Sequence, residues 1–333
     1  RDRYNCNSVI PRFSNIFSLI TLNFSLSSFK ICIIILFLSS FFKSTLRQLF
    51  IYFIQIIIIM NLELKKFDIA SITSDKVCVF IGKRETGKSF LVKDLLYYHK
   101  SIPIGTVISG TESANSFYSN HIPSLFIHDA YTPEIINNAL LRQKMVIKKI
   151  KEEKSRYNEC SIDPRSFLIL DDCLYDNSWI KDENVRCLFM NGRHYKMLFI
   201  ITMQYALGIP PNLRTNIDYI FILRENIVSN RKRLWEHYAG MFPTFEMFNQ
   251  VMNQCTENYE CLVIHNNAKS NKLEDQVFWY KASAHDDFRI GAPDFWRHHN
   301  NLYSGSTQDE DKYNGDLLYK RNKGPTINVK KGF

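Results

Sequence analysis

The chain predicts an α/β protein built on a largely parallel sheet, and three observations carry that expectation. From Lys76 onward, short apolar runs alternate with stretches of helical character, the order that puts crossover helices between parallel strands. Most of the runs are continuously apolar rather than alternating, as in a sheet buried on both faces. A glycine-rich octapeptide, Gly82-Lys83-Arg84-Glu85-Thr86-Gly87-Lys88-Ser89, stands between the first of these runs and a helical segment.

In chain order, the strands are read as VCVFIG (77–82), GTVISG (105–110), SLFIHD (124–129), SFLILDD (166–172), MLFIITMQ (197–204), DYIFIL (218–223), ECLVIH (260–265) and QVFWYK (276–281). FLVKDLLYYHK, after the glycine loop, is helical. A longer helix is expected from about Pro133 to Ser155. There Ile136, Leu140, Ile147 and Ile150 mark an apolar stripe, and Lys144, Lys148, Lys149, Lys151 and Lys154 a solvated face, with a DNA-contacting face as the rival. Residues 225–256 read as helical with a turn at GMFPTF, and Arg231, Lys232 and Arg233 as a solvated basic cluster. FRIGAPDFWRHHNNLY (288–303) is expected to dock on the core through Phe288, Phe295 and Trp296, the rival being base stacking or phosphate contact. His285-Asp286-Asp287 and His298-His299 lack the companions of a metal cluster and read as solvated loop residues.

The net charge of +9 would point to an anionic partner, but five of those nine charges lie in residues 1–59. Bulk charge is therefore a poor argument for nucleic acid. Residues 1–59 contain no Gly, Ala or Glu and are dominated by Ile, Phe, Ser and Leu; the first Met is Met60. The preferred expectation is an AT-rich upstream region translated in frame, with Met60 as the start. The rivals are a membrane anchor and a buried helical arm. The apolar runs 31–42 and 49–60 are each shorter than the roughly 20 residues a spanning helix needs, so a membrane partner is expected only if 1–59 is genuine. A main domain is expected over 60–300 and a flexible tail over 301–333. The eight cysteines form no CxxC pair, which fits a reducing compartment rather than a disulfide framework or a zinc site.

The octapeptide fits G-x-x-x-x-G-K-[ST]. Between strand and helix, the backbone N–H groups of such a loop wrap nucleotide phosphates, aided by the positive end of the helix. Gly82 through Ser89 is thus the expected cradle, with Lys88 reaching the β- and γ-phosphates and the Ser89 hydroxyl completing an Mg²⁺ shell. SFLILDD delivers Asp171 and Asp172 to the carboxyl edge of the sheet, where ligands sit in open α/β folds. Asp171 is expected to hold Mg²⁺, and Asp172 to orient or deprotonate the attacking water. Gln204 ends a strand where a γ-phosphate is sensed or water positioned. Arg193 precedes that strand and Arg214 follows it, in a loop stiffened by Pro210 and Pro211. Each is a candidate for an arginine supplied to a neighbouring subunit, worth roughly 10³–10⁵ in rate, and each also reads as a surface or strand-flanking ion pair.

The set Gly82–Ser89, FLILDD and GRHYKMLFIITMQYALGIPPNLRTNIDY resembles the genome-packaging ATPases of nucleocytoplasmic large DNA viruses, the poxvirus-type members of the FtsK–HerA superfamily. The GR-(H/K)-Y step, the strand ending in Gln and the Pro-containing loop are its most discriminating part, and it covers roughly 68–300. The resemblance implies a RecA-like P-loop NTPase core with a mostly parallel central sheet flanked by helices. It also implies ATP and Mg²⁺, a homo-oligomeric ring (pentamer or hexamer), and translocation of double-stranded viral DNA into the capsid during virion assembly. Capsid or inner-membrane components are the further partners implied, and the host cytoplasm (virus factory) or the virion is the implied location, not secretion. Lys88, Ser89, Asp171, Asp172, Gln204 and Arg193 take the roles given above. A ring helicase or DNA-segregation pump would share these motor residues. An ATP-binding, membrane-associated assembly scaffold is the rival from another class.

Two departures from the pattern stand out. Asp172 occupies a position where many members of the superfamily carry Glu, which shortens its reach to water. Glu85 puts a carboxylate in a loop that usually carries small or basic residues. An inward carboxylate would repel phosphate, so Glu85 is expected to point outward, toward Lys83, Arg84 or a neighbouring subunit.

Overall fold

The structure is a computed structural model that describes residues 62–172, 178–206 and 208–302. The apolar runs within 1–60, the tail beyond Leu302, and Cys6, Cys32 and Cys173 lie outside the described residues.

All eight expected runs become strands: β1 (Val77–Ile81), β2 (Ile104–Ser109), β3 (Ile127–His128), β4 (Ser166–Asp171), β5 (Met197–Met203), β6 (Tyr219–Ile222), β7 (Glu260–His265) and β8 (Val277–Lys281). They form one sheet in the order β3-β2-β4-β5-β1-β6-β7-β8. Every pairing from β3 across to β6 is parallel, and β7 and β8 close the sheet with antiparallel pairings. The longer helices are α1 (Lys88–Tyr98), α2 (Pro133–Tyr157), α3 (Glu183–Asn191), α4 (Val228–Tyr238), α5 (Phe245–Cys255) and α6 (Pro293–Leu302). This is the α/β, mostly parallel architecture that the continuous apolar runs require.

Both faces of the sheet are covered. On one face, Leu91, Val92, Leu95 and Leu96 of α1 pack with Phe80, Phe167, Ile200 and Phe221 in a single apolar cluster. The Phe80 and Phe221 rings stack with centroids 4.5 Å apart, as offset aromatic pairs prefer. On the other face, Phe189 of α3 meets Phe199 of β5 edge-on at 5.3 Å. Local chemistry fixes the helix starts: Asp182 accepts a hydrogen bond from Asn184 N ahead of α3, and Thr244 accepts one from Met247 N ahead of α5. Among the described residues, no helix is long and apolar enough to cross a membrane.

The C-terminal segment docks on the core as expected. Phe288 and Phe295 are buried, and Trp296 Nε1 donates to Ile290 O at 2.9 Å. His285 departs from the solvated reading. It is bonded to Asp94, which is buried in α1 and also accepts from Tyr280 Oη and Ser283 N, and its ring stacks on Tyr97 at 3.8 Å. A buried carboxylate needs several donors, and His285 is one of them. Arg231 is likewise no solvated residue: its guanidinium donates to Asn249 and Asn253 of α5 and to the Glu225 carbonyl.

Two elements differ from expectation. SLFIHD pairs only through Ile127–His128, because Pro123 introduces a 3₁₀ turn over Ser124–Phe126. In α2 the buried side chains are Ile136, Ala139, Leu140 and Gln143; Ile147 and Ile150 are only half-buried, and Met145 and Tyr157 are more than 70% exposed. Gln143 ends the buried stretch by donating to Pro164 O and Tyr195 O, both at 2.8 Å.

Gly105 sits opposite Phe167 in the β2–β4 register, and a Cβ there would come within 2.2 Å of that ring. Phe167 is fully buried and has nowhere to move. Gly105→Ala should cost about 1–3 kcal/mol, read as a lower denaturation midpoint at unchanged slope. An unchanged midpoint would contradict this packing.

Candidate functional site

The glycine loop leaves β1 at its carboxyl end and turns directly into α1. Gly82 cannot carry a side chain, since a Cβ would sit 2.7 Å from Thr86 Oγ1 and 2.8 Å from Leu223 Cβ. Gly87 adopts φ 95° at the helix N-cap, a conformation that favours glycine. Thr86 Oγ1 donates to Lys83 O at 2.8 Å and so ties the loop to itself. Lys88 is buried, and its Nζ donates to Gly82 O at 2.7 Å and Lys83 O at 3.3 Å. Burial lowers its pKa below the ordinary lysine value, while the charges of Asp172 and Asp171 pull the other way. Ser89 is exposed in the first turn of α1, and Arg84 is exposed at the loop tip.

Sheet register supplies the other half of the site. Because β5 lies between β1 and β4, Ser109, Asp171 and Thr202 stand abreast at the carboxyl edge. Thr202 Oγ1 donates to Asp171 Oδ1 at 2.6 Å and accepts from Asp172 N at 3.0 Å. Ser109 Oγ donates to Asp171 Oδ2 at 3.4 Å. Burial raises the Asp171 carboxyl above the usual aspartate range; the Thr202 hydrogen bond opposes that rise and the Asp172 charge adds to it. Tyr118, buried against this corner, has its phenol pushed well up by burial and then by the Asp171 charge.

Asp172 takes φ 47°, a left-handed turn that breaks the strand and swings its carboxylate toward the glycine loop. Its Oδ2 lies 3.6 Å from Lys88 Nζ and accepts from Gln204 Nε2 at 3.1 Å, while its Oδ1 is buried without a partner. The structure thus brings together Lys88, Asp171, Asp172 and Gln204, which the sequence placed on three separate segments. The buried Asp171 carboxylate, with the Ser89 hydroxyl on the adjoining helix, is a hard oxygen donor set. It fits a small divalent cation such as Mg²⁺.

Three residues of this corner escaped the sequence reading. Thr202 carried a signal, being the polar member of an otherwise apolar seven-residue strand. Ser109 ends β2 and is found only through the register. Glu225 receives Lys83 Nζ at 2.6 Å and also accepts from Ile227 N and Asn230 Nδ2. Lys83 is therefore engaged with Glu225 and not with Glu85. Glu85 is exposed, as expected, and lines a cavity with Arg224, Thr256, Glu257 and Asn258.

The two arginines are placed elsewhere. Arg193 is exposed in the Gly192–Tyr195 turn that precedes β5, at the amino edge of the sheet. The seven residues of β5 separate it from Gln204, a span of about 20 Å. Arg214 donates from Nη1 to His237 O at 3.2 Å, and its guanidinium lies over the Tyr238 ring at 5.6 Å. That is the bond of an arginine to the last carbonyls of a helix, and it ties Arg214 to the end of α4. Neither arginine joins the site of its own chain. Among the described residues no group of three His, Cys, Asp or Glu forms a further metal cluster.

With this geometry in view, the comparisons fall on the same stretch of chain. A family model described as Poxvirus A32 protein matches residues 64–277. Protein L437 of Acanthamoeba polyphaga mimivirus is 42% identical over 243 residues, covering 73% of this chain and 84% of that protein. Protein 088R of Invertebrate iridescent virus 3 is 41% identical over 221 residues, covering 65% and 80% respectively. Among solved structures, the genome packaging NTPase B204 of Sulfolobus turreted icosahedral virus 2, in complex with AMPPCP, superposes with a TM-score of 0.44 at 16% identity, covering 64% of this chain and 100% of that one.

Glu85 holds φ 63°, a left-handed conformation that costs a non-glycine residue about 1 kcal/mol. Glu85→Gly should raise stability by up to about 1 kcal/mol and leave ATP affinity unchanged or modestly tighter, as measured by denaturation and calorimetry. A large loss of ATP affinity would show that the carboxylate does face the phosphates.

Proposed function

The chain belongs to the Poxvirus A32 protein family, and from that premise we propose that it is an ATP-hydrolysing motor that translocates double-stranded viral DNA into the capsid during virion assembly. The observation that carries the reading is the meeting of Lys88, Asp172 and Gln204 at one sheet edge, with Asp171 held behind them by Thr202.

In this reading the phosphates lie along the backbone N–H groups of Lys83 through Ser89, at the positive end of α1. Lys88 exchanges the carbonyls of Gly82 and Lys83 for phosphate oxygens. Ser89 and Asp171 are the oxygen donors that would hold Mg²⁺, which supplies charge neutralisation at the phosphates. Asp172 orients or deprotonates the attacking water, while Gln204 on Oδ2 fixes the orientation of the carboxylate.

Arg193 faces solvent about 20 Å from its own site, so its role as a finger is exercised on a neighbouring subunit of a homo-oligomeric ring. Double-stranded DNA and capsid components are the partners of that ring, and the host cytoplasm or the virion is its place of work.

Lys88→Ala should abolish ATP hydrolysis while the fold stays intact. Wild-type ATPase should rise on addition of double-stranded DNA, and the stimulation should fall steeply with salt as the grip on phosphate weakens. Unchanged turnover in the variant, or DNA without effect on wild type, would overturn the reading. In a separate titration, Arg193→Ala mixed into wild-type protein should depress activity more than its mole fraction; a strictly proportional loss would argue against action across subunits.

A further inference from the structure

We infer that the cavity beside Gly87, on the flank of the loop that faces away from Asp171, is the seat of the purine base of the bound nucleotide, and that Tyr259 is the residue that stacks on it. The inference rests on the proposed reading of Gly82–Ser89 as a phosphate cradle and goes on to name where the rest of the ligand lies.

A nucleotide whose phosphates occupy the loop must lay its base against one of the surfaces beside it. On the Gln204 side the cavity next to Gly82 holds about 10 Å³, room for about one water molecule. On the other side, Gly87, Phe90, Leu91, Leu223, Tyr259 and Lys281 enclose about 370 Å³, within the range of small-molecule sites. The lining is mostly apolar and aromatic, with a single charged side chain. That composition suits a flat heteroaromatic ring, with Lys281 as a donor toward a ring nitrogen. The neighbouring cavity at Glu85, about 150 Å³, shares Tyr259 but is otherwise polar, lined by Arg224, Glu257 and Asn258, a poorer match for an aromatic ring.

Two further features single out Tyr259. It is 71% exposed, and its ring lies beside the loop: a Cβ placed on Gly87 would lie 3.4 Å from Tyr259 Cδ1. The backbone that carries it is strained. Asn258 and Tyr259 are consecutive non-glycine residues with φ 50° and 64°, and the turn is closed by Glu260 N donating to Glu257 O at 2.8 Å. Strain of this kind persists where the surrounding structure over-determines it, and it collects at ligand clamps. Phe90, 46% exposed in the first turn of α1, supplies a second aromatic surface to the same cavity. Nothing in the core calls for either ring to be there, whereas a base stacks on any such face.

The test separates base from phosphates. Dissociation constants for Mg²⁺-ATP and for Mg²⁺-tripolyphosphate, which has the phosphates but no base, are measured by calorimetry on the full chain. Wild type should bind ATP more tightly than tripolyphosphate. Tyr259→Ala should weaken ATP about tenfold or more and leave tripolyphosphate unchanged, and Tyr259→Phe should restore ATP affinity. Unaltered tripolyphosphate binding also reports that the loop is intact; should Tyr259→Ala fail to fold, Phe90→Ala gives the same comparison. ATP affinity unaffected in these variants, or equal loss for both ligands, would overturn the base seat. Wild type binding the two ligands equally would overturn it too, while leaving the cradle standing; wild type binding neither would overturn the cradle itself.

Discussion

Everything at the carboxyl edge depends on holding a buried carboxylate, a partly buried one and a buried ammonium group within a few ångströms of one another. An unpaired buried charge costs several kcal/mol, so the arrangement survives only because each group has fixed partners. Thr202 is the hinge of this compromise. Its single hydroxyl donates to Asp171 and accepts from the Asp172 backbone, so one side chain sets the position of one acid and the direction of the next. The strand order makes this possible by placing β5 between the strand that leads into the glycine loop and the strand that ends in the acids.

A second set of contacts ties the loop to helices well outside the site. Lys83 reaches Glu225, whose backbone carbonyl receives Arg231, and Arg231 in turn grips Asn249 and Asn253 of α5. Displacement of Lys83 by an incoming phosphate would therefore be felt at the junction of α4 and α5. Local chemistry at the loop and the packing of two helices share one chain of hydrogen bonds.

Much of the fold was legible because the strands are buried on both faces and so read as unbroken apolar runs; all eight were found. The glycine loop and the Asp171–Asp172 step were legible because their spacing is short-range. What stayed hidden was set by register between distant segments. Ser109 and Thr202 become partners of Asp171 only once three strands are laid side by side. The burial of His285 depends on Asp94, and the turn of Arg231 into α5 depends on how two helices cross. Glu85 was expected to face Lys83, Arg84 or a neighbouring subunit; Lys83 is instead claimed by Glu225, a residue more than a hundred positions away. Arg214, read as a candidate for a neighbouring subunit's site or as a strand-flanking ion pair, is drawn to the end of α4 for the same reason.

The place of Arg193 carries a consequence for symmetry. The nucleotide cradle lies at the carboxyl edge of the sheet and Arg193 at the amino edge. An arginine so placed meets a neighbour's cradle when one subunit's amino edge abuts the next one's carboxyl edge. Contacts of that kind join two different surfaces, so they are heterologous and propagate in one rotational sense. Under the proposed function, the two halves of such a joint would lie at opposite ends of one chain's parallel strands. In the proposed ring, the direction of the parallel strands would set the polarity of the joint.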